Sequence, residues 1–392
     1  MDKKTAALSA TSAFAFVFTM GIVNLFADMT YEGGSSIIGP YLGSLGATAA
    51  TISIVAGVGE FLGYAIRLPA GYLCDKTGKV WLLTFLGYSI NLLAIPALAL
   101  SGNWTMAAVC VIAERVGRAI RKPTVESMLS YTTGTLGKGW VYALNSALDE
   151  TGATIGPLAV ALVLYQRGSY RTGFAMLLIS AVLALGALTV ARFYFPNPSR
   201  LESKRTALAK DFSTSYWLFM VAGALLAAGL MSFEFISYHL SSTGVVTGYW
   251  IPIFLAISTG MGVIANLVFG KLFDRFGVPI VIVAIALSSM FPPLVFLGGF
   301  YGVLGGLILW GVGYAAQDTL LKAIVAGMLP EGKRNLAFGL FYAGYGTGWL
   351  IGSLTTGLLY ERSIPAVIGF SVTVQLASLP LFIIAQRLRP RT

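Results

Sequence analysis

The feature that most constrains this chain is a succession of apolar runs, each about the length of a membrane crossing, separated by short charged or glycine- and proline-containing breaks. A helix needs roughly 20 apolar residues to cross the hydrocarbon of a bilayer. In lipid, helices and closed barrels are the only structures that satisfy every backbone polar group. Runs of this length therefore predict an all-α membrane protein. Twelve spans are expected, at about 8–38, 48–73, 79–101, 103–131, 139–165, 171–194, 213–240, 248–272, 278–299, 302–329, 336–360 and 364–387.

Composition supports this reading: 56% of the 392 residues are hydrophobic and 11% are charged, against roughly 25% charged in soluble domains. The net charge of +10 forms no aromatic-interleaved basic patch and so does not point to nucleic acid. The run after Met1-Asp2-Lys3-Lys4 is too long for a signal-peptide core and is expected to be the first span. Cys74 and Cys110 lie in different predicted helices, near opposite ends, and are expected to be packing residues.

Lys and Arg set the orientation. Seventeen lie in one set of connections, including Lys3, Lys79, Lys138, Arg200, Lys271, Arg334 and Arg389; the other set holds only Arg167, Arg171 and Arg362. The positive-inside rule then places both termini in the cytoplasm of a multi-pass plasma- or inner-membrane protein. The longest hydrophilic gap, 197–211, divides the chain into a first half, 1–196, and a second, 212–392.

These halves repeat. Gly71-Tyr72-Leu73-Cys74-Asp75-Lys76-Thr77-Gly78 matches Gly270-Lys271-Leu272-Phe273-Asp274-Arg275-Phe276-Gly277 at an offset of 199. Gly117, Lys138, Leu144, Gly152 and Gly156 match Gly313, Arg334, Leu340, Gly348 and Gly352 at an offset of 196. Parallel repeats of six spans predict a solute path between two pseudo-symmetric bundles, near the midplane.

The pattern at Gly71, Leu73, Asp75, Gly78 and Lys79 resembles motif A of the major facilitator superfamily, and its position between spans two and three is the expected one. Gly152, Gly156 and Pro157 in span five resemble the motif that marks the drug/proton antiporter branch, although no further glycine follows at Leu158, Ala159 or Val160. The resemblance covers essentially the whole chain. It implies a secondary transporter working by alternating access, with no cofactor, protons as the coupling partner and a monomer as the functional unit. It also implies a conformational latch at Gly71, Asp75, Gly78, Lys79 and Asp274. On the charge pattern, Glu126 is the expected partner of Lys79. Gly152 and Gly156 share one helical face, so close helix packing alone also accounts for them.

A charge at the centre of a spanning helix costs about 2.5–3.5 kcal/mol, so intramembrane charges are the candidate site. Asp28 and Glu32 share a face of span one with no base nearby in sequence, and two close carboxylates hold a shared proton more readily than one. They are the first candidates for proton coupling, with Asp149 and Glu60 next. Arg118, Glu114, Arg67, Glu234, Tyr238 and Asp318 are candidates to line the solute cavity, with Arg118 expected to answer the Asp28–Glu32 charge. Tyr64, Tyr314, Tyr342 and Trp349 are further possible aromatic linings. Glu60 with Arg67, Glu114 with Arg118, and Asp318 with Lys322 have spacings that also fit packing ion pairs, and Arg121 near a helix end also fits snorkelling.

The chemistry expected is proton-coupled export of small organic solutes. Metal or inorganic ion export is an alternative using Asp28, Glu32, Glu234 and His239, disfavoured by a single His and no spaced Cys/His cluster. Facilitated transport or symport of a small anion is another. No phosphate loop, His-Glu-x-x-His or Gly-x-Ser-x-Gly pattern is present, so no enzyme and no metal site is expected.

Overall fold

The structure is a computed structural model that describes residues 3–132, 136, 138–197, 213–316, 321 and 334–388. Its regular elements are all helical: α1 (Lys3–Ser44), α2 (Ala49–Ala65), α3 (Arg67–Thr77), α4 (Val80–Ala97), α5 (Trp104–Ser130), α6 (Lys138–Tyr165) and α7 (Tyr170–Tyr194) precede the 197–211 gap. After it come α8 (Thr214–Gly229), α9 (Phe233–Thr243), α10 (Trp250–Phe276), α11 (Val278–Ser288), α12 (Phe291–Leu297), α13 (Phe300–Ala316), α14 (Arg334–Tyr360) and α15 (Ile364–Arg387). Among the described residues, nine helical segments are long and apolar enough to cross a membrane. The expected span α5 carries too many charges, and α14 too many Gly, Thr and Tyr residues, to stand out on composition alone.

Several expected single helices are divided, and proline explains most of the divisions. Pro69 has no N–H to donate to the carbonyl of Ala65, and the helix of span two is interrupted there between α2 and α3. Pro292 and Pro293 occupy the first turn of α12, just after α11 ends. Span seven divides differently. Leu230 and Ser232 are extended (ψ 133° and 151°), and Ser232 Oγ caps α9 by accepting from the N–H of Phe235. Most of span ten beyond Ala316, including Asp318 and Lys322, lies outside the described residues, as does the stretch 198–212.

The repeat is visible in the backbone. Gly78 closes α3 at φ 64°, with its N–H donating to the Cys74 carbonyl, and Gly277 closes α10 at φ 69°. Both positions have positive φ, where a side chain would be strained, although ψ differs, 4° at Gly78 and −143° at Gly277. The buried apolar side chains also divide. One cluster is built from residues of 216–385 joined by Ala49, and two others draw on 16–195 and 37–177 together with Tyr238.

Contacts between the two sets of helices run along α2 with α14, α1 with α9 and α6 with α10. Ser53 Oγ donates to the Ser353 carbonyl at 2.6 Å. The Ala50 N–H donates to Glu361 Oε1 at 3.4 Å, and Tyr165 meets Tyr249 edge-on at 5.4 Å. These last three contacts lie toward the end of the molecule that holds the α1–α2 turn, whereas Tyr64 stacks on Tyr342 at the far end of α2.

Candidate functional site: a charge network between α1, α2, α5 and α9

Helix α5 presents Glu114, Arg118 and Arg121 at i, i+4 and i+7, which is one face of a helix, with Arg115 beside it. That face is held against α4 by backbone contact. A Cβ on Gly117 would overlap the backbone nitrogen of Asn91, and one on Gly87 would lie 2.6 Å from the nitrogen of Arg121. Asn91 then serves both neighbours. Its Nδ2 donates to Glu114 Oε1 at 2.6 Å and to the Glu114 carbonyl at 3.2 Å, while its Oδ1 accepts from Arg121 Nε at 3.2 Å.

Arg115 is the hub. Its guanidinium lies 3.3 Å from Glu60 on α2, 3.4 Å from Glu114 and 2.6 Å from Glu234 on α9, and it donates to the hydroxyl of Tyr31 on α1. Gly59 makes the room: a Cβ there would lie 2.9 Å from Arg115 Cγ. Glu234 also accepts from Ser35 Oγ at 3.1 Å. It stands in the first turn of α9, where a carboxylate is favoured by the helix dipole. The Arg115–Glu234 pair therefore ties the first set of helices to the second.

Arg118 donates to Glu60 Oε1 at 3.1 Å and lies over the Tyr31 ring at 4.3 Å. Its distance to Glu114 is 4.0 Å, so the i, i+4 pairing is the weaker of its two. Arg121 is 3.6 Å from Asp28 and sits over the Tyr88 ring at 4.6 Å. It is buried, rather than reaching outward to the membrane surface. Accessibility separates these groups. The side chains of Glu114, Arg115 and Glu234 are 1–3% exposed, whereas Arg118 is 16% and Asp28 22% exposed. Arg118 and Asp28 are thus open to a small ligand in a way that Arg115 is not.

The remaining expected residues fall at different distances from this centre. Glu32 is half-buried and makes no hydrogen bond or ion pair within 4 Å among the described residues. Asp149 accepts from Asn145 Nδ2 at 3.1 Å, and its other oxygen is buried without a donor. A polar ladder joins it to the network: Tyr88 donates to Asn24, Asn24 donates to Asn145 at 2.8 Å, and Asn145 donates to Asp149. Arg67 does not pair with Glu60. It donates to the Gly63 carbonyl and lies over the rings of Tyr64 and Tyr342 at 4.6 and 5.3 Å. Tyr238 stands apart, packed near Tyr360 and Gly43. His239 is buried, with Nδ1 2.8 Å from the Tyr360 hydroxyl.

Lys79 and Glu126 are both exposed and form no ion pair with each other. The side chains of Asp75 and Asp274 lie outside the described residues, and a Cβ on Gly71 would reach Pro123 at 3.7 Å. Gly152 and Gly156 pack α6 against α1, where added Cβ atoms would overlap the carbonyl oxygens of Leu25 and Met29. Pro157 follows inside α6. This contact lies within the first set of helices, not between the two sets.

Sequence reasoning found the charged residues but not all of their partners. Arg121 was readable from its i+7 spacing to Glu114. Tyr31, Ser35 and Asn91 carried no signal until α1, α4 and α5 were brought together.

Known proteins agree with this architecture. The sequence profile described as Major Facilitator Superfamily matches residues 9–301 and 255–392. An uncharacterized protein of Mycobacterium tuberculosis is 32% identical over 378 residues, covering 94% of this chain and 92% of its own. An uncharacterized MFS-type transporter of Methanocaldococcus jannaschii is 27% identical over 365 residues, covering 88% of this chain and 89% of its own. Among solved structures, the nucleoside transporter NupG (D323A mutant) superposes with a TM-score of 0.76 at 14% identity, over 94% of this chain and 100% of its own, a likeness of fold. With the helical spans, the repeated glycine turns and the buried charges between the helix sets, this chain belongs to the Major Facilitator Superfamily and is a secondary transporter.

Proposed function

We propose that the protein is a proton-coupled exporter of small organic solutes, working by alternating access between two six-helix halves, 1–196 and 212–392, joined by the linker 197–211. In this reading it lies in the plasma or inner membrane with both termini cytoplasmic, as the Lys and Arg distribution supports. The observation that carries it is a charge imbalance. Within 4 Å, three guanidiniums (Arg115, Arg118, Arg121) meet four carboxylates (Asp28, Glu60, Glu114, Glu234). Counting the charges that act on these groups from farther away adds Lys122 and Arg67 on one side and Glu32, Asp149 and Glu150 on the other, which makes seven carboxylates against five cations. A cluster with excess carboxylate in an apolar slab is neutralised by protons or by a cationic ligand.

Asp28 and Glu32 are the proposed proton carriers, with Asp149 next along the polar ladder. Arg121, 3.6 Å from Asp28, is the proposed partner of that carboxylate, and Arg118, 3.1 Å from Glu60, is proposed to answer Glu60. A proton taken up at Asp28 frees Arg121, and its loss restores the pair, so the two states differ in their affinity for solute. Tyr31, Tyr64, Tyr314 and Tyr342 supply aromatic surface near these charges, consistent with an organic solute. Asp75 and Asp274, beside the two glycines at positive φ, are proposed as the latch that biases one conformation.

The test is Asp28→Asn and Glu32→Gln, singly and together, in proteoliposomes with an imposed pH gradient and a solute panel. The double variant is expected to keep solute counterflow and lose uphill transport driven by the gradient. Normal gradient-driven transport by the double variant would move the proton site elsewhere. Anion symport is a second reading, favoured by the partial exposure of Arg118; preferential counterflow of anions in the same panel would select it.

A further inference from the structure

Asn91, on α4, is a fully buried neutral side chain placed between two charges of opposite sign. Its Nδ2 donates to Glu114 Oε1 at 2.6 Å, and its Oδ1 accepts from Arg121 Nε at 3.2 Å. A side-chain amide has one donor end and one acceptor end, so a carboxylate on one side and a guanidinium on the other fix which way it points. Glu114 depends on that donor. Among the described residues its Oε2 receives no hydrogen bond, and its nearest cation is Arg115 at 3.4 Å.

Helix α4 also shapes a seat for Arg121. Gly87, Tyr88 and Asn91 fall within about one turn. Gly87 leaves room for the Arg121 backbone, the Tyr88 ring lies against the guanidinium at 4.6 Å, and Asn91 accepts from Nε. With Nε engaged in this way, Nη2 reaches Asp28 on α1 at 3.6 Å. Glu114 is the competing carboxylate. It lies seven residues before Arg121 on the same face of α5, about 10.5 Å along the axis, a gap that the two long side chains can close together. Its side chain is 1% exposed, against 22% for Asp28. Charges attract more strongly where water screens them less, so without the amide between them Arg121 would turn to Glu114 and leave Asp28.

We propose that Asn91 is a positioning residue: its amide holds Glu114 and Arg121 apart and so keeps Arg121 for Asp28. The consequence for transport rests on the proton-coupled reading above; which carboxylate holds Arg121 does not.

The experiment uses the purified full-length protein in detergent and reads thermal unfolding in double-mutant cycles. In the wild type, Asp28→Asn with Arg121→Gln should lower Tm by about 2 °C or more less than the sum of the two single losses. Glu114→Gln with Arg121→Gln should be closer to additive. In an Asn91→Ala background the pattern should invert, with Arg121 coupled to Glu114 and additive with Asp28. Adding Glu114→Gln to that background removes the competing charge and should restore the Asp28–Arg121 coupling. A side chain that only fills space would lower every Tm without exchanging the partner of Arg121, and neutralising Glu114 would not reverse the change. Coupling of Arg121 to Asp28 that survives Asn91→Ala would overturn the positioning role. So would wild-type coupling of Arg121 to Glu114 as large as to Asp28, a result that needs no Asn91 variant to fold. The proton-coupled reading fails separately, through normal gradient-driven transport by the Asp28→Asn, Glu32→Gln double variant.

Discussion

The two repeats differ in chemistry at the same positions. At the offset of 199, Asp28, Glu32 and Glu60 correspond to Ala227, Met231 and Thr259; at 196, Glu114, Arg115 and Arg118 correspond to Trp310, Gly311 and Tyr314. The packing at these positions is nevertheless shared. Gly59 makes room for the Arg115 side chain, and at the matching place Gly311 makes room for the carbonyl of Ser258. Where the first repeat satisfies its centre with ion pairs, the second uses neutral donors. Trp310 Nε1 donates to the Met231 carbonyl at 2.9 Å, while Gln375 and Ser371 donate to the Gly229 carbonyl at 3.2 and 2.6 Å. Among the described residues, one packing scheme thus carries a titratable wall on one side and an aromatic, neutral wall on the other. Glu234, aligned with Ser35, is the exception, and among the described residues it is the one carboxylate of the second repeat within 4 Å of the arginines of the first.

Four substitutions test this contrast. The largest effect is expected from Arg115→Met, which leaves Glu60, Glu114 and Glu234 buried without their hub. Breaking a buried ion pair from one side typically costs about 3–5 kcal/mol, so thermal unfolding of the purified protein should show a large loss. Unchanged stability would mean that the charges do not hold the first repeat together. Next, Gly156→Ala and Gly352→Ala press a methyl group into the carbonyls of Met29 and Ala228 respectively. Overpacking of this kind costs about 1–3 kcal/mol, and the two losses should be similar; a loss confined to one repeat would show that the packing is not equivalent. The smallest effect is expected from Trp310→Phe, which removes one donor from the Met231 carbonyl. Destabilisation of about 1–3 kcal/mol for a buried acceptor left unpaired, at the low end because the ring remains, should appear without loss of the Arg115–Glu234 contact.

Much of this was legible in the chain. Apolar run lengths gave the helical class, and the recurrence of Gly71–Gly78 at Gly270–Gly277 marked a repeat whose last glycines, Gly78 and Gly277, both stand at positive φ. The intramembrane charges marked the network because a lone charge in lipid is unfavourable enough to demand a partner. The pairings were less readable, because helical spacing reports only neighbours within one helix. Glu60 and Arg67 share a face, yet Glu60 turns to α5, and Arg67 finds two tyrosine rings. Glu114 and Arg118 have the favoured spacing, but Asn91 on α4 reaches Glu114 first. The division of span seven was hidden as well. No proline marks it, and its carbonyls are satisfied by side chains from distant sequence.

That division has a mechanical consequence. Span seven is two rods meeting at a pivot, and the carbonyls at the pivot are bonded to Trp310, Ser371 and Gln375 rather than along the helix. Tilting the second rod therefore need not tear a run of helical hydrogen bonds. Glu234 sits on the short arm, one residue into α9, while Thr243 ends the long arm ten residues from its start, about 15 Å away. A slight withdrawal of the Glu234 carboxylate from Arg115 would be magnified several-fold at that tip, so leverage rather than a large local rearrangement would link the charge state of the centre to the far end of the helix.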